Sequence, residues 1–217
     1  MINSGFGVLL INYRGSTGMG GKNIEYILGR IGESDVLDCM TAINTALIKY
    51  TWLDPRRITL YGGSHKFINA HLSYQYPEMF KSVVMRNPVI DLASLFSTSD
   101  IPDWYSCYEI ICTSVLGNAA MGTLPETIHA FNYSESLIKM LNHSPILHVD
   151  KVKAATLIAL GSNAPRVPPS QGKLWYYCLS SNNVPLYMYD DDHLLSKDEV
   201  EIDLFINTVL WILKYGG

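Results

Sequence analysis

The chain lacks an apolar run long enough to cross a bilayer, and it is poor in charge. Asp, Glu, Lys and Arg make up 17% of its 217 residues, and the net charge is −4. A membrane span needs about 18 consecutive apolar residues, which this sequence nowhere contains. Without a basic excess there is no electrostatic reason to expect nucleic acid or an anionic membrane as a partner. The apolar stretch at residues 6–11 has no basic leader and no cleavage site, so we do not interpret it as a signal peptide.

Cysteines are few and scattered. The four of them, none in a C-x-x-C pair, are Cys39, Cys107, Cys112 and Cys178. This spacing favours reduced thiols over a disulfide framework or a zinc site. We therefore expect a cytoplasmic protein with no metal and no cofactor.

What the sequence does contain is an alternation of short apolar runs and helical patterns. Apolar residues make up 48% of the chain, enough for one domain with a sizeable core. The runs predicted as strands are residues 8–13, 58–61, 82–85, 155–160 and 186–189. Helices are predicted over 34–50 with Ser34 as N-cap, from the residues after 64 to Tyr76, over 169–180, and in a closing amphipathic segment containing Ile202, Phe205, Ile206, Val209 and Ile212. Over residues 91–147 the sequence predicts a mixed, mostly helical segment. This alternation predicts an α/β fold, a mostly parallel sheet with helices on both faces.

The most informative stretch runs from Ile58 to His65. A short apolar strand ends in Gly62, Gly63 and Ser64, and a helical pattern follows at once. Such a strand-to-helix turn, the nucleophile elbow, lifts one serine hydroxyl clear of the sheet and needs small neighbours, a demand that Gly62 meets. The pattern Gly-x-Ser-x-Gly is incomplete, because position 66 is Lys. The sequence thus predicts Ser64 as a nucleophile on a modified elbow.

Acyl transfer by serine also needs a base and an acid that orients it. In α/β-hydrolases these residues follow the chain order Ser, Asp, His, each at the carboxyl end of a strand. His193 lies in the loop after the last predicted strand, where the base belongs. We therefore predict that His193 takes the proton of Ser64.

The acid has no candidate of the same quality. It belongs in the loop at residues 161–168, which contains no Asp or Glu. Asn163 could hydrogen-bond the imidazole, but it carries no charge to stabilise the imidazolium. Losing the acid from such a triad costs on the order of 10⁴ in kcat. Residues 190–192 are three aspartates beside His193, yet sequence neighbours rarely reach round to orient the ring, and no second ligand cluster supports a metal site there.

Several motifs resemble the prolyl oligopeptidase family of serine peptidases, and within it the acylaminoacyl peptidase group. Asn-Tyr-Arg-Gly-Ser-Thr-Gly at residues 12–18 is similar to that family's strand and loop before the elbow helix, and Gly-Gly-Ser-His at 62–65 is similar to its Gly-Gly-Ser-His-Gly-Gly motif. Arg-Asn-Pro-Val at 86–89, Ser-Asp-Ile-Pro-Asp-Trp at 99–104 and Arg-Val-Pro at 166–168 extend the resemblance over essentially the whole chain.

The resemblance implies an α/β-hydrolase catalytic domain that removes N-acylated residues from short peptides. Ser64 would be the nucleophile, His193 the general base and acid, and the backbone N–H of His65 half of an oxyanion hole. It also implies association between copies of the chain. Residues 1–217 are expected to be the C-terminal part of the domain, without the family's N-terminal β-propeller, first strands and His-Gly-Gly loop.

Three departures accompany the resemblance. Lys66 replaces a Gly-Gly pair, and the family's catalytic aspartate aligns with Ala164. The chain also lacks the strand that, in the sheet of this family, lies between the strands expected at residues 8–13 and 58–61. Three hypotheses follow: a serine peptidase of acylaminoacyl peptidase type with impaired catalysis, an inactive homologue that serves as a binding module, or an esterase acting on small esters.

Overall fold

A parallel sheet of four strands, in the order β1-β2-β3-β4, forms the centre of the protein. We describe a computed structural model that covers residues 1–27, 30–64, 67–100, 133–179 and 184–217. The strands are β1 (Ile58–Gly63), β2 (Phe80–Arg86), β3 (Ala155–Gly161) and β4 (Leu186–Tyr189). All three neighbouring pairs are parallel, so the carboxyl ends of the strands share one edge of the sheet. The α/β prediction with a parallel sheet is thus confirmed, and four of the five predicted strands are present.

Helices cover both faces of this sheet. They are α1 (Gly21–Tyr26), α2 (Ser34–Lys49), α3 (Ile68–Gln75), α4 (Leu92–Phe96), α5 (Tyr133–Asn142), α6 (Pro169–Cys178) and α7 (Asp198–Tyr215), with short 3₁₀ helices at Ile2–Ser4 and Pro145–Lys151. Alternate strand residues point to opposite faces. Val83 of β2 therefore packs with α2, α3 and α6, whereas Val84 packs with α7. Both valines are fully buried, as expected of a strand that helices cover on both faces.

The predicted strand at residues 8–13 is wrong. That segment is irregular, and the side chains of Val8, Leu9 and Leu10 are exposed. β1 stands at the end of the strand order, so no strand of the described chain lies beside it on that side. A strand is stabilised by backbone hydrogen bonds to a neighbour. An apolar run without that neighbour therefore stays irregular.

The closing helix is confirmed, but the apolar stripe chosen from the sequence is not its buried face. The side chains of α7 that pack against the sheet are Val200, Leu204 and Trp211. Ile202 and Ile206 are instead 62% and 50% exposed. Both faces of α7 are rich in apolar residues, so periodicity alone does not select the one that meets the sheet.

Other sequence-based expectations differ in detail. Ser34 is the first residue of α2 rather than its N-cap, and no side chain caps this helix. The carboxylate of Asp35 accepts hydrogen bonds from the N–H groups of Gly32 and Val36. Cys39 is buried and Cys178 is exposed, while Cys107 and Cys112 lie outside the described residues, as does most of the Ser-Asp-Ile-Pro-Asp-Trp motif.

Candidate active site

Ser64 occupies a sharp turn directly after β1. Its φ of 60° is in the left-handed region, which is uncommon for a residue with a side chain. The N–H of Ser64 donates to the carbonyl oxygen of Arg86 at 2.7 Å, which holds this turn against the end of β2. A Cβ atom at Gly63 would lie 2.9 Å from Cβ of Arg86, so a glycine is required at that position. A small residue is therefore needed at Gly63, the neighbour of the Gly62 that the motif indicated.

The structure brings Ser64 and His193 together. Oγ of Ser64 and Nε2 of His193 are 2.5 Å apart, with His193 in the loop after β4. His65 and Lys66 lie outside the described residues, so the expected oxyanion N–H and the shortened elbow remain predictions. Nε2 is in a position to accept the serine proton, which is the contact that nucleophilic catalysis requires.

The electrostatic surroundings of His193 favour its neutral form. Burial is the main cause that lowers the pKa of the ring below its usual 6.5, and the positive charge of Arg166 lowers it further. Asp192 and Asp100 raise this pKa, but they do not reverse the shift. Only a neutral imidazole can accept the proton of Ser64, so the shift keeps the base competent at mildly acidic pH.

Among the described residues, none orients the opposite ring nitrogen. Nδ1 of His193 is buried and has no hydrogen-bond partner among the residues that the structure describes. The amide of Asn163 donates instead to the carboxylate of Asp190 at 2.9 Å. Ala164, which the sequence analysis aligned with the acid of the family it resembles, is a buried side chain with no polar atom. The interaction that Asn163 could have made with the imidazole is therefore absent.

Two of the three aspartates beside His193, Asp191 and Asp192, accept hydrogen bonds from the backbone. Both carboxylate oxygens of Asp191 accept main-chain hydrogen bonds, from the N–H groups of Asp192 and Lys197. These bonds, led by the one from Lys197, lower the pKa of Asp191. The carboxylate of Asp192 accepts from the N–H of Leu194 at 2.8 Å. These hydrogen bonds stabilise the loop that carries His193, and none of them involves Nδ1 of the ring.

Sequence reasoning missed two residues that hold this loop in place. Arg86 and Asn87, at the end of β2, donate through their side chains to the backbone carbonyls of His193, Leu194 and Leu195. They entered the sequence analysis only as part of a family motif. The one signal available was the presence of two polar residues at the carboxyl end of a buried strand.

Neither a metal site nor a membrane span is found in the described parts of the chain. Within those residues, no group of three or more His, Cys, Asp or Glu side chains could hold a metal ion. In the same part of the chain, no helix combines the length and the apolar character needed to cross a bilayer.

Known proteins match this chain over almost its whole length. The sequence profile of the prolyl oligopeptidase family matches residues 1–217. Acylamino-acid-releasing enzyme of Mus musculus is 41% identical over 217 residues, which cover 98% of this chain and 28% of the mouse protein. The enzyme of the same name from Arabidopsis thaliana is 36% identical over 215 residues, covering 97% of this chain and 26% of that protein. The chain thus spans little more than a quarter of the length of these relatives.

Solved structures show the same fold. Pyrococcus horikoshii acylaminoacyl peptidase superposes with a TM-score of 0.73 at 19% identity, over 92% of this chain and 30% of that one. A puromycin-hydrolyzing peptidase of Mycobacterium tuberculosis gives a TM-score of 0.72 at 24% identity, over 95% of this chain and 29% of that one. The fold is therefore the α/β-hydrolase fold, as the sequence predicted.

Proposed function

The chain belongs to the prolyl oligopeptidase family, and on that premise we propose that it is the C-terminal part of a serine peptidase domain of acylaminoacyl peptidase type. Its substrates would be short N-acylated peptides, from which it releases the N-acylated residue. The observation that carries the proposal is the 2.5 Å contact between Oγ of Ser64 and Nε2 of His193 at a left-handed turn after a strand.

In this reaction Ser64 attacks the carbonyl carbon of the acylated residue while His193 takes the hydroxyl proton. The new Oγ–C bond forms a tetrahedral intermediate, and its collapse breaks the peptide bond as His193 returns the proton to the leaving amine. The acyl group then remains on Ser64 until water, activated by the same imidazole, releases it. The attack by Ser64 needs Nε2 of His193 to face Oγ, and these two atoms are 2.5 Å apart.

The same site supports an impaired reaction rate. When His193 takes the proton it becomes an imidazolium, and a carboxylate at Nδ1 would normally stabilise that charge. Here Nδ1 has no partner among the described residues, and the nearby Arg166 disfavours the charged ring. The loss expected from an absent acid is on the order of 10⁴ in kcat. We expect slow acylation of Ser64 rather than none.

A second candidate function is an inactive homologue that binds peptides or a partner. The lack of a partner for Nδ1 among the described residues and the lysine at position 66 favour it. The third hypothesis, an esterase that acts on small esters, needs only the same Ser64 and His193. Association between copies of the chain and a cytoplasmic location also stay predictions. Light scattering and cell fractionation would test them.

A fluorophosphonate probe separates the first two functions, because it labels only a serine whose hydroxyl is activated. Labelling of the folded protein at Ser64, lost in Ser64→Ala and strongly slowed in His193→Gln, would support the hydrolase. A folded protein that stays unlabelled would contradict it and favour the binding module. For a protein that labels, turnover of acetyl-alanine peptides against butyrate esters distinguishes the peptidase from the esterase.

A further inference from the structure

Three successive carbonyls of the loop that carries His193 are held by two adjacent residues at the end of β2. Nδ2 of Asn87 donates to the carbonyl oxygen of His193 at 2.9 Å. Nη2 of Arg86 donates to the carbonyl oxygens of Leu194 at 2.5 Å and of Leu195 at 3.2 Å. A guanidinium presents several N–H donors in a rigid plane, so one side chain reaches two neighbouring carbonyls.

Asn87 connects three strand ends at once. Besides its bond to His193, its Oδ1 accepts from the N–H of Gly161 at 2.9 Å, and its own N–H donates to the carbonyl of Ala159 at 2.8 Å. The residue is fully buried, with φ at 41° in the left-handed region. Asparagine adopts that region more readily than most residues with a side chain. The carboxyl ends of β2 and β3 and the loop after β4 are thereby fixed relative to each other.

The nucleophile is held by one of these two residues, Arg86. The N–H of Ser64 donates to the carbonyl oxygen of Arg86 at 2.7 Å. The turn of Ser64 and the loop of His193 therefore share one support, although they come from distant parts of the chain. Leu195, buried with φ at 52°, shows that the loop adopts a backbone conformation that a non-glycine residue holds only under external constraint.

We propose that Arg86 and Asn87 are positioning residues that hold Nε2 of His193 against Oγ of Ser64. The inference rests on the proposed function, since it concerns the geometry of the same pair. A displacement of the base by about 1 Å costs on the order of 10²-fold in rate. Removing either support would therefore reduce the reactivity of Ser64 without altering a reacting atom.

The variants to compare are Asn87→Gly, Arg86→Met and Arg86→Lys. Glycine accepts the left-handed backbone of position 87 but removes both side-chain bonds. Arg86 is half-buried, so Arg86→Met tests the loop support with less disturbance of the core. Arg86→Lys keeps the charge and can donate to one carbonyl, so it should recover part of the lost rate.

Gln171 provides the matched control. It is also a buried amide, and its Oε1 accepts from the N–H groups of Ile90 and Asp91 just after β2, at 3.0 and 2.9 Å. None of its hydrogen bonds goes to the loop of His193. Gln171→Met should lower the melting temperature about as much as Asn87→Gly does and leave the labelling rate within about twofold of the unmodified protein.

Two measurements test the proposal, both on the full chain. The first is the fluorophosphonate labelling rate, expected to fall on the order of 10²-fold in Asn87→Gly and Arg86→Met, with a smaller loss in Arg86→Lys. The second is an NMR titration of the His193 ring, which does not depend on labelling. Release of the ring into solvent would raise its pKa toward 6.5 from the lowered value of the intact site.

The outcomes separate this proposal from the proposed function. If the unmodified protein is not labelled, the hydrolase proposal fails, and the titration alone decides the positioning role. If the unmodified protein is labelled but Asn87→Gly and Arg86→Met react as fast as Gln171→Met, the positioning role is overturned and the hydrolase stands. An unchanged His193 titration in both variants also overturns it. If Asn87→Gly does not fold, the comparison of Arg86→Met with Arg86→Lys tests the positioning role.

Discussion

Oγ of Ser64 and Nε2 of His193 lie 2.5 Å apart, although 129 positions separate the two residues in the chain. The contact forms at the carboxyl edge of the sheet, where the turn after β1 meets the loop after β4. The other ring nitrogen of His193 is buried and unpaired within the described residues. In this site Nε2 of His193 contacts the nucleophile, whereas no residue that the structure describes hydrogen-bonds to Nδ1 of the same ring.

Restoring a carboxylate behind the imidazole should raise the reactivity of Ser64. In Ala164→Asp the new carboxylate would stand where the family places its acid, and the imidazolium formed during acylation would be stabilised. We expect the labelling rate of Ser64 to rise, by up to about 10⁴-fold. This rate is measured by quenching the fluorophosphonate reaction at successive times and determining the labelled fraction of the protein by mass spectrometry.

Ala164→Asn is the control for that change, because it offers a polar side chain of the same size without charge. It should give a much smaller gain, since it can orient the ring but cannot stabilise the imidazolium. Ala164 is buried, so the folding of both variants is checked by circular dichroism. An Asp variant that folds and reacts no faster than the unmodified protein would contradict the proposal that a missing acid slows this site.

The pH dependence of Ser64 labelling should reflect the lowered pKa of His193. The base works only when neutral, so the rate is lost as the pH falls through the folded-state pKa, which lies below 6.5. Replacing Arg166 with Met removes a positive charge that lowers this pKa. The acidic limb of the profile should then move to higher pH.

Arg56→Met is the comparison for the Arg166 variant, because Arg56 pairs with Asp54 at the surface and does not act on His193. Its pH profile should coincide with that of the unmodified protein. If the limb stays in place in Arg166→Met, or moves to lower pH, the assignment of Arg166 as a neighbour that disfavours the imidazolium is wrong.

Gly161→Ala should disturb the loop of His193 directly. A Cβ atom at Gly161 would lie 2.1 Å from the carbonyl oxygen of Asp192, a backbone atom that cannot move aside without shifting the loop. We expect a loss of about 1–3 kcal/mol in the free energy of unfolding, measured by urea denaturation, together with slower labelling of Ser64. Gly21→Ala is the control, since no atom would meet its Cβ within 4 Å. Equal effects of the two substitutions would argue against close packing between the ends of β3 and this loop.

His71 should make the protein less stable in acid. Burial is the main cause that lowers its pKa to about 3, and the nearby His143 and His148 contribute to this shift. Its Nδ1 accepts hydrogen bonds from Tyr74 and Gln75, which fits a neutral ring. Below pH 6.5 the unfolded chain binds a proton at this residue that the folded protein does not bind. The free energy of unfolding should therefore fall as the pH decreases from about 6.5 toward 3, by up to about 1.4 kcal/mol per pH unit.

His71→Gln isolates that contribution, because glutamine keeps a polar side chain without titrating in this range. The variant should show a shallower decline of stability between pH 7 and 5 in urea denaturation, whatever its stability at pH 7. Parallel slopes for the two proteins would show that His71 does take up a proton in the folded state.

Local sequence patterns predicted much of the fold and part of the candidate site. The strands β1 to β4, the closing helix and the position of Ser64 at a strand end were predictable because each depends on a short run of sequence. The absence of an acid in the loop after β3 was also predictable, because the order Ser, Asp, His along the chain defines which loop should carry the acid. Burial of Ala164 and the unpaired Nδ1 of His193 agree with that reading.

The amino-acid sequence by itself thus determined where strands and helices form and which residue types stand at their ends. Tertiary structure alone decided that residues 8–13 stay irregular, which face of α7 meets the sheet, and that Asn163 turns toward Asp190 rather than toward His193. It also decided that Arg86 and Asn87 hydrogen-bond to the loop that carries His193. The physical reason is the same in each case: backbone pairing, burial and hydrogen bonding depend on a partner far away in the chain, which no local pattern specifies.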